Sequence, residues 1–288
     1  YHYIVPEFTK NQVFTFFYSK IVEEFIEASD MGIKTKPVML GPVSYLLLGK
    51  EKESGFHRLE LLDSLLNAYT KILQIISGIG AEWIQIDEPC LIMVLDEQSK
   101  EAFAKAYKIL CGKFPNLKII LATYFGSLGD NIELVVSLPV HTLHIDVTRA
   151  PEQLDEVLQK IPESMHLSLG VIDGRNIWKN DTGKSVYMMD KASKLLGDRV
   201  MLAPSCSLLH VPCDLDQEKG SLPSDVKYKM AFAKQKLIEL VELAHSSKYR
   251  FNEGNGSSNK NRTPDIPTIT TIKNHDVIKR VAAIGSND

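Results

Sequence analysis

Three apolar runs each end in an aspartate: Ile84-Gln85-Ile86-Asp87, Leu143-His144-Ile145-Asp146 and Gly170-Val171-Ile172-Asp173. If each run is a strand of one parallel barrel, the three carboxylates converge on the mouth at the C-terminal strand ends, where barrel active sites lie. Glu88, Thr123, Tyr124, Arg149, Arg175, Ser205 and Cys206 fall at or near the same rim. Gathered carboxylates can bind an amine, move a proton or hold a metal. Each Asp taken singly is also the residue type that caps a following helix or turns the chain. Asp87, Glu88, Asp146 and Asp173 are therefore the candidate catalytic residues, with capping as the competing role.

Cys206 follows the last apolar run in Pro204-Ser205-Cys206. A zinc site there needs His or Cys partners from other strand ends. His144 lies two positions before Asp146, on the same strand face but deeper. His210 and Cys213 lie beyond Cys206 in a loop, at a spacing that matches no usual zinc pattern. The expectation is a small buried cysteine. Gly41-Pro42, after the first run, reads as a tight turn with Ser44 capping the next helix; close backbone approach to a ligand is the alternative. Trp83 opens a strand and is expected to pack. Trp178, in the loop after Asp173, is a candidate for a pocket wall.

The elements that must position these residues are legible. Strands are expected at Lys36–Leu40, Trp83–Ile86, Lys118–Thr123, Thr142–Asp146, Leu167–Asp173 and Arg199–Ala203. The intervals between them leave room for a helix in each. Leu61, Leu62, Leu65, Leu66, Tyr69, Ile72, Leu73 and Ile76 recur at helical spacing until Gly78 and Gly80 stop them. Gln98 to Cys111 gives another helix, with Phe103, Ala106, Tyr107 and Leu110 inward. Ala150-Pro151-Glu152 reads as a helix start, and Val226 to Ala244 as one long final helix. This is an α/β chain, and the expected architecture is a (β/α)8 TIM-type barrel lacking its first two strands. A doubly wound sheet is the rival, but no G-x-G-x-x-G follows any strand. Residues 1–249 form the incomplete barrel in this reading, 250–273 a flexible polar linker, and 274–288 a short helix and tail.

Composition narrows the function classes. Of 288 residues, 44% are hydrophobic and 24% charged, which marks a folding chain rather than a disordered one. Lys+Arg 33 against Asp+Glu 36 leaves a net charge of −3, so there is no global field for nucleic acid or an acidic membrane. No apolar run approaches the ~20 residues of a membrane span. Four scattered cysteines suit a reducing cytoplasm. The chain opens at Tyr1 without an initiator Met and is expected to be a piece of a longer protein.

Four stretches carry a family resemblance: Tyr1-His2-Tyr3-Ile4-Val5-Pro6-Glu7-Phe8, Lys36-Pro37-Val38-Met39-Leu40-Gly41-Pro42, Ile84-Gln85-Ile86-Asp87-Glu88-Pro89 and Gly170-Val171-Ile172-Asp173-Gly174-Arg175-Asn176. In order and kind they resemble the amino-terminal half of the cobalamin-independent methionine synthase family. The resemblance runs to about Ala244, weakens after Tyr249, and returns at Asn274 to Ile284.

That resemblance implies a methyltransferase built of two similar barrels, moving a methyl group from 5-methyltetrahydrofolate polyglutamate to homocysteine. The carboxy-terminal barrel would be this chain's partner and would hold the zinc that activates the homocysteine thiol. It also implies that Thr123, Phe125, Asp146 and Cys206 stand where that barrel carries its zinc ligands. Only Cys206 keeps a ligand type, as a vestigial position, so no metal or other cofactor is expected in this chain. Two strands and a folate-contacting basic segment would precede Tyr1, and their absence would expose two sheet edges and the barrel interior. Arg149 and Arg175 are the candidate substrate-binding residues, and with Lys179 they could meet glutamate carboxylates. The chain is expected to be mainly scaffold and folate-tail support, inactive alone. The alternatives are a non-catalytic interaction module reusing the barrel, and a stand-alone superfamily enzyme using the rim carboxylates.

Overall fold

Strand and helix alternate along the chain because short β-branched runs alternate with amphipathic segments, and each helix returns the chain to begin the next parallel strand. The computed structural model describes residues 5–16, 20–220 and 223–253. In chain order the elements are β1 (Glu7–Phe8), α1 (Lys20–Asp30), β2 (Val38–Leu40), α2 (Pro42–Leu48), β3 (Lys50–Glu51), α3 (Leu62–Gly78), β4 (Trp83–Asp87), α4 (Glu97–Lys113), β5 (Lys118–Ala122), α5 (Ile132–Ser137), β6 (Thr142–Asp146), α6 (Gln153–Lys160), β7 (His166–Ile172), α7 (Thr182–Leu196), β8 (Val200–Pro204), α8 (Ser224–Lys227) and α9 (Ala233–Glu253).

The strands expected from the sequence form one parallel sheet in the order β2-β4-β5-β6-β7-β8. It curves as a partial barrel and does not close: β2 and β8 are its free edges among the described residues. Val38 is 47% and Leu40 36% exposed on one edge, and β8 is half-exposed throughout. The register pairs Leu40 with Asp87, Asp87 with Ala122 and Ala122 with His144, so the strand ends share one rim. The outer face is the core. Phe103, Ala106, Tyr107 and Leu110 of α4 are fully buried against it, as their spacing requires; each large apolar side chain contributes roughly 1.5–3 kcal/mol by leaving water.

Several local expectations are corrected. Lys36 and Pro37 precede β2 rather than join it. β1 and β3 form a separate two-stranded parallel pair, Glu7 with Lys50 and Phe8 with Glu51, which was not expected. The helix after Ala150-Pro151 begins at Gln153, with Glu152 at its N-cap. The final helix is not continuous over Val226 to Ala244. Between α8 and α9 the chain extends, because Met230 bridges Trp178 in antiparallel fashion. Lys179 N donates to Lys229 O at 2.8 Å, and Ala231 N donates to Ile177 O at 2.7 Å. Met230 and Phe232 bury themselves with Leu215, so the break has its own small apolar core. α9 runs on through Glu253, and most of the expected linker and the whole 274–288 helix lie outside the described residues.

Gly170, inside β7, has no room for a side chain. A Cβ there would stand 2.7 Å from Ser205 Cα and 2.9 Å from Ile145 O, both backbone. Gly170→Ala is expected to cost about 3 kcal/mol through displaced strands and to lower the calorimetric melting temperature by roughly 6–12 °C.

Candidate functional site

Adjacent residues of a strand point to opposite faces, and this splits the Asp87-Glu88 pair. Asp87 faces the barrel interior. Glu88 faces outward beneath α2 and is completely buried, so the structure does not bring it to the mouth. Its Oε2 accepts from Ser44 N at 2.7 Å, and its Oε1 accepts from Tyr107 Oη–H at 3.0 Å and Val43 N at 3.4 Å. The first-turn N–H groups of α2 have no intrahelical acceptors, and Gly41 at the N-cap offers no side chain. Glu88, from another strand, caps the helix instead. Ser44 does not cap it; its hydroxyl accepts from Cys90 N at 3.1 Å. The close approach at Gly41 is therefore to Glu88, since a Cβ there would lie 2.0 Å from Glu88 Cδ. Burial pushes the Glu88 carboxyl up to about 7, against the pull of its donors.

On the inner face Asp87 Oδ1 accepts from Gln85 Nε2 at 2.8 Å and Oδ2 from Tyr124 Oη–H at 3.3 Å. Lys36 Nζ donates to Gln85 Oε1. Burial pushes the Asp87 carboxyl up and the Lys36 ammonium down, and the charge of each opposes the shift of the other. Across the interior His144 Nε2 lies 3.3 Å from Ser205 O and Nδ1 2.9 Å from Ser168 Oγ. A carbonyl only accepts, so Nε2 carries the proton and Nδ1 accepts from the hydroxyl. Burial pushes His144 down to about 4, so the ring is neutral. Lys36, Gln85, Asp87, Tyr124, His144 and Ser168, with Cys206 and the apolar edges of β2 and β8, line a cavity of about 790 Å3. Lys36 and Gln85 were not singled out in the sequence; the period-2 alternation Gln85–Asp87 was the signal for one of them.

Asp146 and Asp173 take the turn-forming role. Asp146 is fully buried. Its Oδ1 accepts from Thr148 N at 3.0 Å, Thr148 Oγ1–H at 2.7 Å and Arg149 N at 3.1 Å, and its Oδ2 from Phe125 N at 3.2 Å. Asp173 accepts from Arg175 N at 2.7 Å and Asn176 Nδ2 at 2.8 Å. Arg149 stands between them, its Nε 4.0 Å from Asp146 and its terminal nitrogen 3.8 Å from Asp173. Phe125 sits at φ 78°, a left-handed conformation that costs a bulky residue roughly 1–3 kcal/mol. The Arg175 guanidinium lies 4.6 Å from the Phe125 ring centre, with the Tyr124 and His210 rings at 4.5 and 5.7 Å. An aromatic–cation cluster thus occupies the lip of the mouth.

The donor set does not fit zinc. Phe125 has no donor atom, and Thr123 Oγ1–H donates to His144 O at 2.8 Å. Asp146 already accepts four hydrogen bonds. Cys206 is buried, and burial pushes its thiol up to about 11, away from the thiolate that binds metal. Among the described residues no group of three or more His, Cys, Asp and Glu is placed to hold an ion, so Cys206, His210 and Cys213 form no site together.

Among the described residues no helix is long and apolar enough to cross a membrane. Residues 1–197 match the protein family described as cobalamin-independent synthase, N-terminal domain. The chain is 48% identical over 300 aligned residues to the 5-methyltetrahydropteroyltriglutamate–homocysteine methyltransferase of Flavobacterium johnsoniae, covering 100% of this chain and 38% of that protein. It is 52% identical over 245 residues to the enzyme of the same name from Xylella fastidiosa, covering 85% of this chain and 32% of that one. The chain thus spans about a third of the length of these curated relatives. Its fold is similar to that of a B12-independent methionine synthase from Shewanella sp. W3-18-1, with a TM-score of 0.62 at 14% identity over 85% of this chain and 71% of that one. The chain belongs to the cobalamin-independent methionine synthase family, in which it corresponds to the N-terminal domain.

Proposed function

We propose that this chain is the amino-terminal part of a cytoplasmic methyltransferase that moves the methyl group of 5-methyltetrahydropteroyltriglutamate to homocysteine, and that it is the half without zinc. The observation that carries the proposal is the donor set at the mouth. Phe125 and Thr123 stand at two of the expected ligand positions, and Asp146 serves the turn around Thr148 and Arg149. In this reading the zinc and the homocysteine belong to a carboxy-terminal barrel, which is the partner of this chain.

The work left to these residues is positioning. Glu88 ties β4 to α2 and α4 and holds the sheet in shape. The Phe125–Arg175 stack and His210 fill the lip. Arg149 and Arg175, both at that lip, are offered to the carboxylates of the folate tail, since guanidinium groups recognise carboxylates well. The four cysteines are free thiols, as suits a reducing compartment.

The test is methionine formation from homocysteine and the methylated folate triglutamate, with added zinc. This chain alone is expected to give no methionine above the protein-free control. The full-length protein that contains this chain is expected to be active. Methionine made by the chain alone would overturn the assignment of chemistry to the other half.

A further inference from the structure

A second cavity, of about 490 Å3, opens behind the mouth between the end of β7, α7 and α9. That volume suits a small molecule. Trp178 forms one wall and is 49% exposed, with Val171 and Met188 as apolar neighbours. The main chain at Trp178 is held: it bridges Met230, and Trp178 N donates to Asn176 Oδ1 at 2.9 Å. Lys236 of α9 also lines the cavity, and it is 1% exposed. A buried ammonium is costly unless an anion accompanies it. The hydrogen bonds of Lys236 Nζ go to neutral oxygens, Trp178 O at 2.9 Å and Asn176 Oδ1 at 3.4 Å. An ammonium has three donors, so one remains.

The charged side chains that line the cavity are Lys179, Lys184 and Lys236 against Asp173 and Asp181, one positive charge in excess before Glu239 is counted. Both Asp173 oxygens accept from their own turn, at Arg175 N and Asn176 Nδ2. Asp181 caps α7 by accepting from Lys184 N at 3.2 Å and pairs with Lys184 Nζ at 3.7 Å. Lys179 Nζ rests over the Tyr228 ring, 4.1 Å from its centre. Glu239, one turn along α9, accepts from Asn180 N at 3.1 Å and does not line the cavity. Its field partly offsets Lys236 without hydrogen-bonding it.

We propose that this cavity binds a small monocarboxylate with a flat apolar body, its carboxylate on Lys236 Nζ and its body against Trp178. The site is separate from the barrel interior and does not depend on the methyl-transfer reading. The backbone bridge to Met230 fixes the main chain at Trp178 before any ligand arrives, which lowers the ordering cost of binding there.

Benzoate is the probe, and benzamide is its neutral match in shape. The chain has two tryptophans, and Trp83→Phe assigns their indole N–H peaks in the 1H–15N spectrum. In the whole chain benzoate is expected to move the Trp178 peak saturably, with a dissociation constant on the order of a millimolar. Benzamide is expected to bind at least about tenfold more weakly, as loss of a charge-assisted hydrogen bond requires. Lys236→Met is expected to lose the benzoate response while keeping a dispersed spectrum. If that variant does not fold, the benzoate–benzamide comparison on the unmodified chain decides. Equal responses to both probes, no saturable response to benzoate, or a folded Lys236→Met that still binds benzoate would overturn the proposal.

Discussion

Replacing Glu88 with alanine is expected to cost about 4 kcal/mol of folding stability, at the upper end of what single substitutions do, because a buried hydrogen-bonding network is broken. The loss has three parts. Val43 N and Ser44 N lose their acceptor at the start of α2, where no other cap exists. Tyr107, fully buried, is left with an unsatisfied hydroxyl, which alone costs about 1–3 kcal/mol. A cavity opens beneath Gly41, where the carboxyl group had been. Glu88→Gln keeps the volume but turns an N–H2 toward donors, so about 2 kcal/mol is expected to be lost. Gly41→Ala attacks the same contact from the other side and is expected to match Glu88→Ala. Urea unfolding measures all three. A cost below 1 kcal/mol for Glu88→Ala would mean that water or a neighbour takes over the cap.

The second large effect is a pH dependence that isolates His144. Folding carries this ring from an ordinary pKa near 6.5 down to about 4. Between those values the unfolded chain binds a proton that the folded chain does not. Stability therefore falls as pH falls, and the contribution present above pH 6.5 is lost on the way to pH 4. The loss is about 3 kcal/mol at 1.36 kcal/mol per unit. Glu88 has the opposite sign. Its folded value of about 7 exceeds the unfolded one, so its contribution is fully present below pH 4.5 and lost as pH rises through 7. The two slopes oppose each other in the wild-type chain, and only a difference between chains separates them. His144→Asn is expected to be less stable than wild type at pH 7.5, having lost its place between Ser168 and Ser205. Its deficit is expected to shrink by about 3 kcal/mol by pH 4. A deficit that stays constant with pH would show that His144 titrates normally in the folded chain.

What the sequence revealed of the fold follows from contact range. Strands β4 to β8 and the buried stripes of α3 and α4 depend on local period, which any window of the sequence carries. The turn of Asp173 onto Arg175 and Asn176 is also local, and the residue types announce it. The misread features depend on distant partners. Gly41 looked like a turn glycine; the atom that forbids a Cβ there belongs to Glu88. The final helix looked continuous, and its break is set by Trp178. Period 2 sends Asp87 and Glu88 to opposite faces, yet nothing local says that the outward face at Glu88 lies under α2 rather than in solvent. Lys236 sits on a charged, amphipathic helix and had no sequence signal at all; only the approach of the 176–178 loop makes it a buried ammonium.

In the proposed function, the chemistry of this family does not reside in this chain's own mouth. The direct measurement is zinc content per chain after purification and dialysis against zinc-containing buffer, with Cys206→Ser alongside. Far less than one zinc per chain is expected, with no change on substituting Cys206. One zinc per chain, lost in Cys206→Ser, would contradict it and make the Asp146–Cys206 rim a metal site.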